Sequence, residues 1–418
     1  MGLRVDELLA QARILAPLAA RRGEEMVLLA KAQGCRVFDA DNVAYIDLIG
    51  GGGANLLGYA NQYILDAVRR ATTLGLAIGF HPVTELELAE QLSEMLPQFG
   101  PWVVAPSEVL AWELALRWCR RDTGRDGLVI FDGNRRGAVE AFHVNPGARG
   151  RNGQPALAGL PAEVARHVRV SPWGDAAALG ELLEAIGDET AAVILDPIAG
   201  QFGVVSPDPA FVAKVAKLTR RAGARLVLDE TVTGLRLGRG GAAEAFGLAP
   251  DLAVFGGVLG GGVAHVGAVT WRRDLAVTVG DDLPPPPPPL ALAAATATLS
   301  VLKNDAVHQR LEERGAQLQA GLEALAERAQ RPLQCARVGS IFACCFSREP
   351  VVDAGSLTRV DTRSWERFAR ALRDGGVLVP SRSPATLYLS HAHGVKDVEQ
   401  VLAAADAALK RMQKEDEA

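Results

Sequence analysis

The sequence predicts an α/β protein: a large domain on a mostly parallel sheet, followed by a smaller α/β domain at the C-terminal end. Three observations carry this. From Trp102 onward, short apolar runs alternate with amphipathic helical patterns, the rhythm of strands covered by helices on both faces. The runs "AAVILD", "RLVLDE" and "LAVFGG" are strand-length and almost wholly apolar, as strands buried on both sides must be. Six prolines in "DDLPPPPPPL", Asp281 to Leu290, then break the rhythm, and a different order of helices and strands follows.

The elements run in order as follows. "MGLRVDELLAQARILAPLAARR" carries acids within its apolar pattern, so it reads as an amphipathic helix and not a signal peptide. "CRVFDADNVAYIDLIG" reads as two short strands around an Asp-Asn turn. In "TELELAEQLSEML", Thr84 and Glu87 have the spacing of a capping box. The strand "WVVA" precedes the helix "SEVLAWELALRWCRRDTG" and the strand "GLVIF". The helix "PAFVAKVAKLTRRAG" lies between "AAVILD" and "RLVLDE". The prolines form a stiff polyproline II linker, since Pro has no N–H for helix or sheet. A long helical pattern then runs from Leu290 to about Gln330. It is followed by strands "PLQCARVG" and "IFACCFS", a helix over 365–374, strands "VLVPS" and "ATLYLS", and a last helix over 396–412. The domain division is 1–60, an N-terminal helix and strands packing with the small domain; 61–290, the large domain; and 291–418, the long helix and small domain.

Composition narrows the function. A net charge of −5 gives no basic footprint for nucleic acid. No apolar run is long enough to span a membrane. Five cysteines without regular spacing read as reduced thiols, so the expected compartment is the cytoplasm. Cys344 and Cys345, inside "IFACCF", read as core. No Cys or His cluster has ligand spacing apart from the weak His391-x-His393 pair, so no metal is expected. Lysine is scarce: seven in the chain, and none between Lys217 and Lys303.

Several long segments together resemble the class III aminotransferases, and among these the glutamate-1-semialdehyde 2,1-aminomutases. They are "NVAYIDLIGGGGANLLGYA", "TELELAEQL", "DTGRDGLVIFDG", "LDPIAGQFGVVSP", "LVLDETVTGLRLGRGGAAEAFGLAPDLAVFG", "ARVGSIF" and "LYLSHAH", in family order over nearly the whole chain. The resemblance implies the fold type I of pyridoxal phosphate (PLP) enzymes, a homodimer, and active sites at the subunit interface. It also implies a lysine amine on the cofactor, an acid on its pyridinium nitrogen, an aromatic face on its ring and donors around its phosphate.

Checked residue by residue, only part of that site is present. Asp229 matches the pyridinium partner. The lysine position is Gly257, and the lysine gap rules out a shifted alignment. Where the family opens a helix with a phosphate-binding Ser-Gly-Thr turn, this chain has Ser107, Glu108 and Val109. A carboxylate there would oppose a phosphate by on the order of a few kcal/mol, whereas Ser-Glu is a favourable helix start. The Gly-Thr pair that the family's partner subunit sends to the phosphate matches Leu283 and Pro284. The ring-stacking aromatic and its histidine neighbour match Arg135 and Arg136, and the substrate-pocket Ser-Trp matches Gly51 and Gly52.

These joint departures predict a non-functional PLP site, no cofactor, and a pseudoenzyme acting as scaffold, regulator or partner subunit. It would be homodimeric, or heteromeric with an active paralogue. A second reading is a PLP-independent enzyme using Asp229, Glu230, Arg135, Arg136 and His265, or the histidines His391 and His393, on a small anionic ligand. A third, an atypical PLP-binding aminotransferase, would have to hold the cofactor without its lysine.

Overall fold

A computed structural model describes residues 27–75, 79–134, 139–147, 153–200, 203–263, 265–275 and 283–417. The expected N-terminal helix lies outside the described residues. Three strands come first: β1 (Leu29–Gln33), β2 (Arg36–Asp39) and β3 (Ala44–Asp47), with Asn42 in left-handed conformation in the Asp-Asn turn. Two helices follow, α1 (Gln62–Ala71) and α2 (Val83–Met95). The large domain then alternates β4 (Phe99–Ala105), α3 (Glu108–Thr123), β5 (Gly127–Phe131), the short pair β6 (Val144–Asn145) and β7 (Gln154–Pro155), α4 (Ala162–Arg166), β8 (Val168–Ser171), α5 (Ala176–Ile186) and β9 (Thr190–Leu195). It continues through α6 (Pro209–Arg221), β10 (Arg225–Glu230), α7 (Gly241–Ala245), β11 (Leu252–Phe255) and β12 (Gly267–Arg272). Beyond the prolines come α8 (Pro289–Leu302), α9 (Ala306–Arg328), β13 (Leu333–Val338), β14 (Ile341–Phe346), α10 (Thr362–Asp374), β15 (Val377–Leu378), β16 (Ala385–Tyr388) and α11 (Val395–Glu417).

The main sheet has the order β4-β12-β11-β10-β9-β5-β8. Pairs among β11, β10, β9, β5 and β8 are parallel, and β12 is antiparallel to both β11 and β4, so β12 alone runs against the rest. Alternate residues feed two cores, because successive side chains of a strand point to opposite faces. Val193, Leu195, Leu226 and Leu228 join helices α1, α2, α5, α6 and α8 on one side. Ala192, Ile194, Val227 and Val254 join Trp112 and Trp118 of α3 on the other. This alternation sends Asp229 toward the α3 side and Glu230 toward the opposite one. A third core gathers Ile46 and Leu48 of the N-terminal strands with α9, α10, α11 and the antiparallel sheet β13-β14-β16.

Two local expectations fail. Helix α2 starts one residue before Thr84, with Pro82 at its cap and no side-chain bond there, so the capping box does not form. Proline fixes the turn into the helix on its own. The single long helix expected over 290–330 is two, broken at Lys303–Asp305, where Asn304 Oδ1 accepts from the N–H of Ala306. A short polar side chain competing with the helical backbone favours such a break.

Glu230 has a structural task. Its buried carboxylate accepts from the Thr233 hydroxyl (2.6 Å) and from the N–H groups of Ala242 (3.0 Å) and Ala243 (2.9 Å), fixing the start of α7. Burial pushes its pKa up to about 7. The folded protein therefore keeps this proton over a range in which the unfolded chain, with an ordinary carboxyl near 4.5, has released it. Stability contributed by this group is full below about pH 4.5 and falls as pH rises toward 7, by roughly 3 kcal/mol. Urea denaturation at pH 4.5 and 7.5 should show wild type losing about that much more stability than Glu230→Gln. Parallel losses in the two proteins would disprove the assignment.

Candidate cofactor cleft

Four segments meet at the carboxyl ends of β10 and β11, the edge at which open α/β sheets bind ligands. Asp229, the penultimate residue of β10, is buried, and its Oδ1 accepts from both the N–H (3.0 Å) and the hydroxyl (2.6 Å) of Thr231. The carbonyl of Thr231 turns to the next strand end: a Cβ on Gly257 would lie 2.9 Å from it. Gly257 also has φ of +31°, which L side chains rarely adopt, so the turn after β11 is shaped for glycine and not for a lysine. The same hypothetical Cβ would lie 3.9 Å from Cα of Ala54, which brings the N-terminal glycine loop to the cleft.

The start of α3 forms the next wall. Ser107 caps the helix, its Oγ accepting from the N–H of Leu110 (3.2 Å). The Glu108 carboxylate reaches Gly256, where a Cβ would lie 2.5 Å from Oε2. Val109 is half-buried against the α3 core. Gly51 and Gly52 lie in the glycine loop, held by Asn55, whose Nδ2 donates to the Gly50 carbonyl (3.2 Å). Asn55 also packs on the turn after β11, so close that a Cβ on Gly262 would lie 1.8 Å from its Oδ1. Leu283 is exposed and Pro284 half-buried at the head of the proline run.

The loop is also clamped by Arg236, which pattern reading passed over. Its Nη1 donates to Ser340 Oγ (2.9 Å) and the Leu389 carbonyl (3.0 Å), its Nη2 to the Gly53 carbonyl, and its guanidinium lies over the Tyr388 ring at 5.2 Å. Burial lowers its pKa to about 10, so it stays charged at neutral pH.

Asn134 is a second residue that escaped the sequence reading. It follows β5 at the same edge of the sheet, 2% exposed, and neither its Nδ2 nor its Oδ1 has a hydrogen-bond partner.

The other predicted residues that are among the described residues do not converge here. Glu230 faces α7, on the opposite side of the sheet from Asp229. His265 is exposed. His393 is buried, its Nδ1 bonded to Ser390, and burial lowers its pKa. Half-buried His391 is lowered likewise by burial. Arg135 and Arg136 lie outside the described residues. Cys344 and Cys345 are buried, Cys345 pushed up by burial to about 11, so both thiols are inert. Among the described residues no group of three or more His, Cys, Asp or Glu side chains could hold a metal ion, and no helix is long and apolar enough to cross a membrane.

For a pyridoxal-type group, the cleft fits at the ring-nitrogen end, where Asp229 stands buried, and offers unpaired donors and an acceptor at Asn134. It offers no amine at Gly257, and it sets the Glu108 carboxylate at the start of α3.

The family model for aminotransferase class III matches residues 18–413. The glutamate-1-semialdehyde 2,1-aminomutase of Sorangium cellulosum is 37% identical over 393 residues, 93% of this chain and 90% of that protein. An omega-transaminase from Sphaerobacter thermophilus superposes with a TM-score of 0.89 at 28% identity, over 98% of this chain and 97% of that one. A lysine-to-alanine variant of the Pseudomonas aeruginosa PAO1 glutamate-1-semialdehyde aminomutase, in complex with PMP, superposes with a TM-score of 0.80 at 27% identity, over 92% and 87%. These findings overturn the expectation of no cofactor and point to PLP instead. That expectation summed the departures at the lysine, phosphate, ring and substrate positions into loss of the whole site; for the lysine alone, a relative with a lysine removed holds PMP. Ring and phosphate contacts can retain such a ligand on their own. With nearly all of its length matched, the chain belongs to the class III aminotransferase family.

Proposed function

We propose that this chain holds a pyridoxal-type cofactor, PLP or PMP, without a covalent bond to the protein, and that it does not transaminate. The observation that carries the reading is Gly257 at the family's lysine position, beside a buried Asp229 at the family's acid position. PLP supplies an electron sink for amino-group chemistry when bound. Thr231 orients the Asp229 carboxylate through two hydrogen bonds, and the carboxylate would hold the proton of a pyridine ring nitrogen placed against it. No lysine lies between residues 217 and 303 to move protons on the far side of the ring. Glu108 weakens affinity for a phosphate at the start of α3, so the cofactor exchanges with solution. Such a protein serves as a ligand-dependent scaffold or as the silent subunit of an assembly.

The reading is tested by absorption titration of the purified protein with PLP and with PMP, followed by borohydride reduction and intact-mass measurement. Saturable binding, at least tenfold weaker in Asp229→Ala, with no mass gain after reduction, is the expected result. Stoichiometric attachment of one PLP on reduction would overturn it, as would the absence of any binding.

We also propose that the chain is a homodimer. Tyr63, Leu74, Phe80, Val83 and Leu86 are each more than 60% exposed along and between α1 and α2, a concentration of large apolar side chains that monomers rarely leave in water. Light scattering should give twice the 44.1 kDa of one chain, and Val83→Glu with Leu86→Glu should shift the mass to that of the monomer. A wild-type monomer would refute it.

A further inference from the structure

We propose that Asn134 is a ligand-binding residue of this cleft, taking a polar substituent of the ligand whose ring nitrogen Asp229 holds; this rests on the cofactor reading above. A carboxamide has two donor hydrogens and an acceptor oxygen. In Asn134 both Nδ2 and Oδ1 are buried without a partner, while the residue itself is 2% exposed. Native proteins rarely leave such a group unpaired, because its lost hydration is then uncompensated.

The position of Asn134 says what could pair it. It stands three residues beyond Phe131, the last residue of β5, and its own N–H donates to the Phe131 carbonyl (3.1 Å) in a tight turn. That turn projects from the carboxyl edge of the sheet, where ligands of open α/β folds bind. Only β9 separates β5 from β10, so the two strand ends lie roughly 10 Å apart at the usual spacing between strands. One substituted pyridine ring with a hydrogen bond at each end spans such a gap. A buried carboxamide without a protein partner at this edge of the sheet is suited to a polar ligand. A group that both donates and accepts, such as the ring hydroxyl or the amine of PMP, matches the carboxamide.

Asn134→Leu, close in size and without polar atoms, separates this role from a structural one. Binding of PMP and of PLP is measured by absorption or fluorescence titration, and thermal stability is measured without ligand. The expected result is a Kd raised about 10- to 100-fold, with an unliganded Tm equal to or above wild type because an unpaired buried amide has been removed. If Asn134→Leu does not fold, Asn134→Ala is titrated instead, with the same loss of affinity expected. Wild-type affinity in a folded variant overturns the role of Asn134 and leaves the cofactor reading standing. Absence of binding in wild type overturns both.

Discussion

Arg236 is the interaction on which the arrangement of this cleft depends. One guanidinium joins the glycine loop at Gly53, the tip of the β13–β14 hairpin at Ser340, and the strand end at Leu389, and it does so from the turn that follows Asp229. The cation is fully out of water, and its hydrogen bonds to carbonyl and hydroxyl oxygens, with the Tyr388 face, stand in for lost hydration. Breaking it would leave three buried acceptors unpaired and remove the tie between the glycine loop, the β13–β14 turn and the end of β16. The cleft is therefore a joint between three parts of the chain, held by one buried charge.

Much of the fold could be read from the sequence because the relevant signals are local. β9, β10 and β11 are short apolar runs with turn residues on both sides, and nothing distant is needed to recognise them. Asp229 was legible for the same reason, as an acid ending such a run inside a long family match. Arg236 and Asn55 were not, since Arg236 reaches partners 104 and 183 residues away and Asn55 packs across to Gly262. Asn134 was invisible for a different reason: its signal is an absence of partners, which only three-dimensional placement reveals. The Thr84 capping box illustrates the reverse error, a good local pattern displaced by a neighbouring proline.

The cofactor was misjudged through a matter of weight. Gly257, Glu108 and the proline-lined segment were each read as subtracting from a site, and their sum was taken as its removal. A ligand held at several points loses affinity in steps, and losing a covalent bond changes its exchange rate more than its ability to enter. The backbone at Gly257 is adapted to glycine, with the Thr231 carbonyl filling the space that a side chain would need. The turn after β11 is thus closed by backbone, and any side chain placed at Gly257 would have to displace a neighbouring carbonyl.

The six prolines that lead into α8 act on a state that the folded contacts do not display. Each has its φ confined by its ring before folding begins, and Pro289 supplies the first residue of the helix. The unfolded chain consequently samples far fewer conformations across this crossover than a glycine- or serine-rich linker would. Ordering it costs correspondingly little entropy. α8, which packs against α1 and α2, is thereby delivered to the core by a segment that is already nearly straight, so part of the stability of that helix layer originates in the restricted disorder of the denatured ensemble.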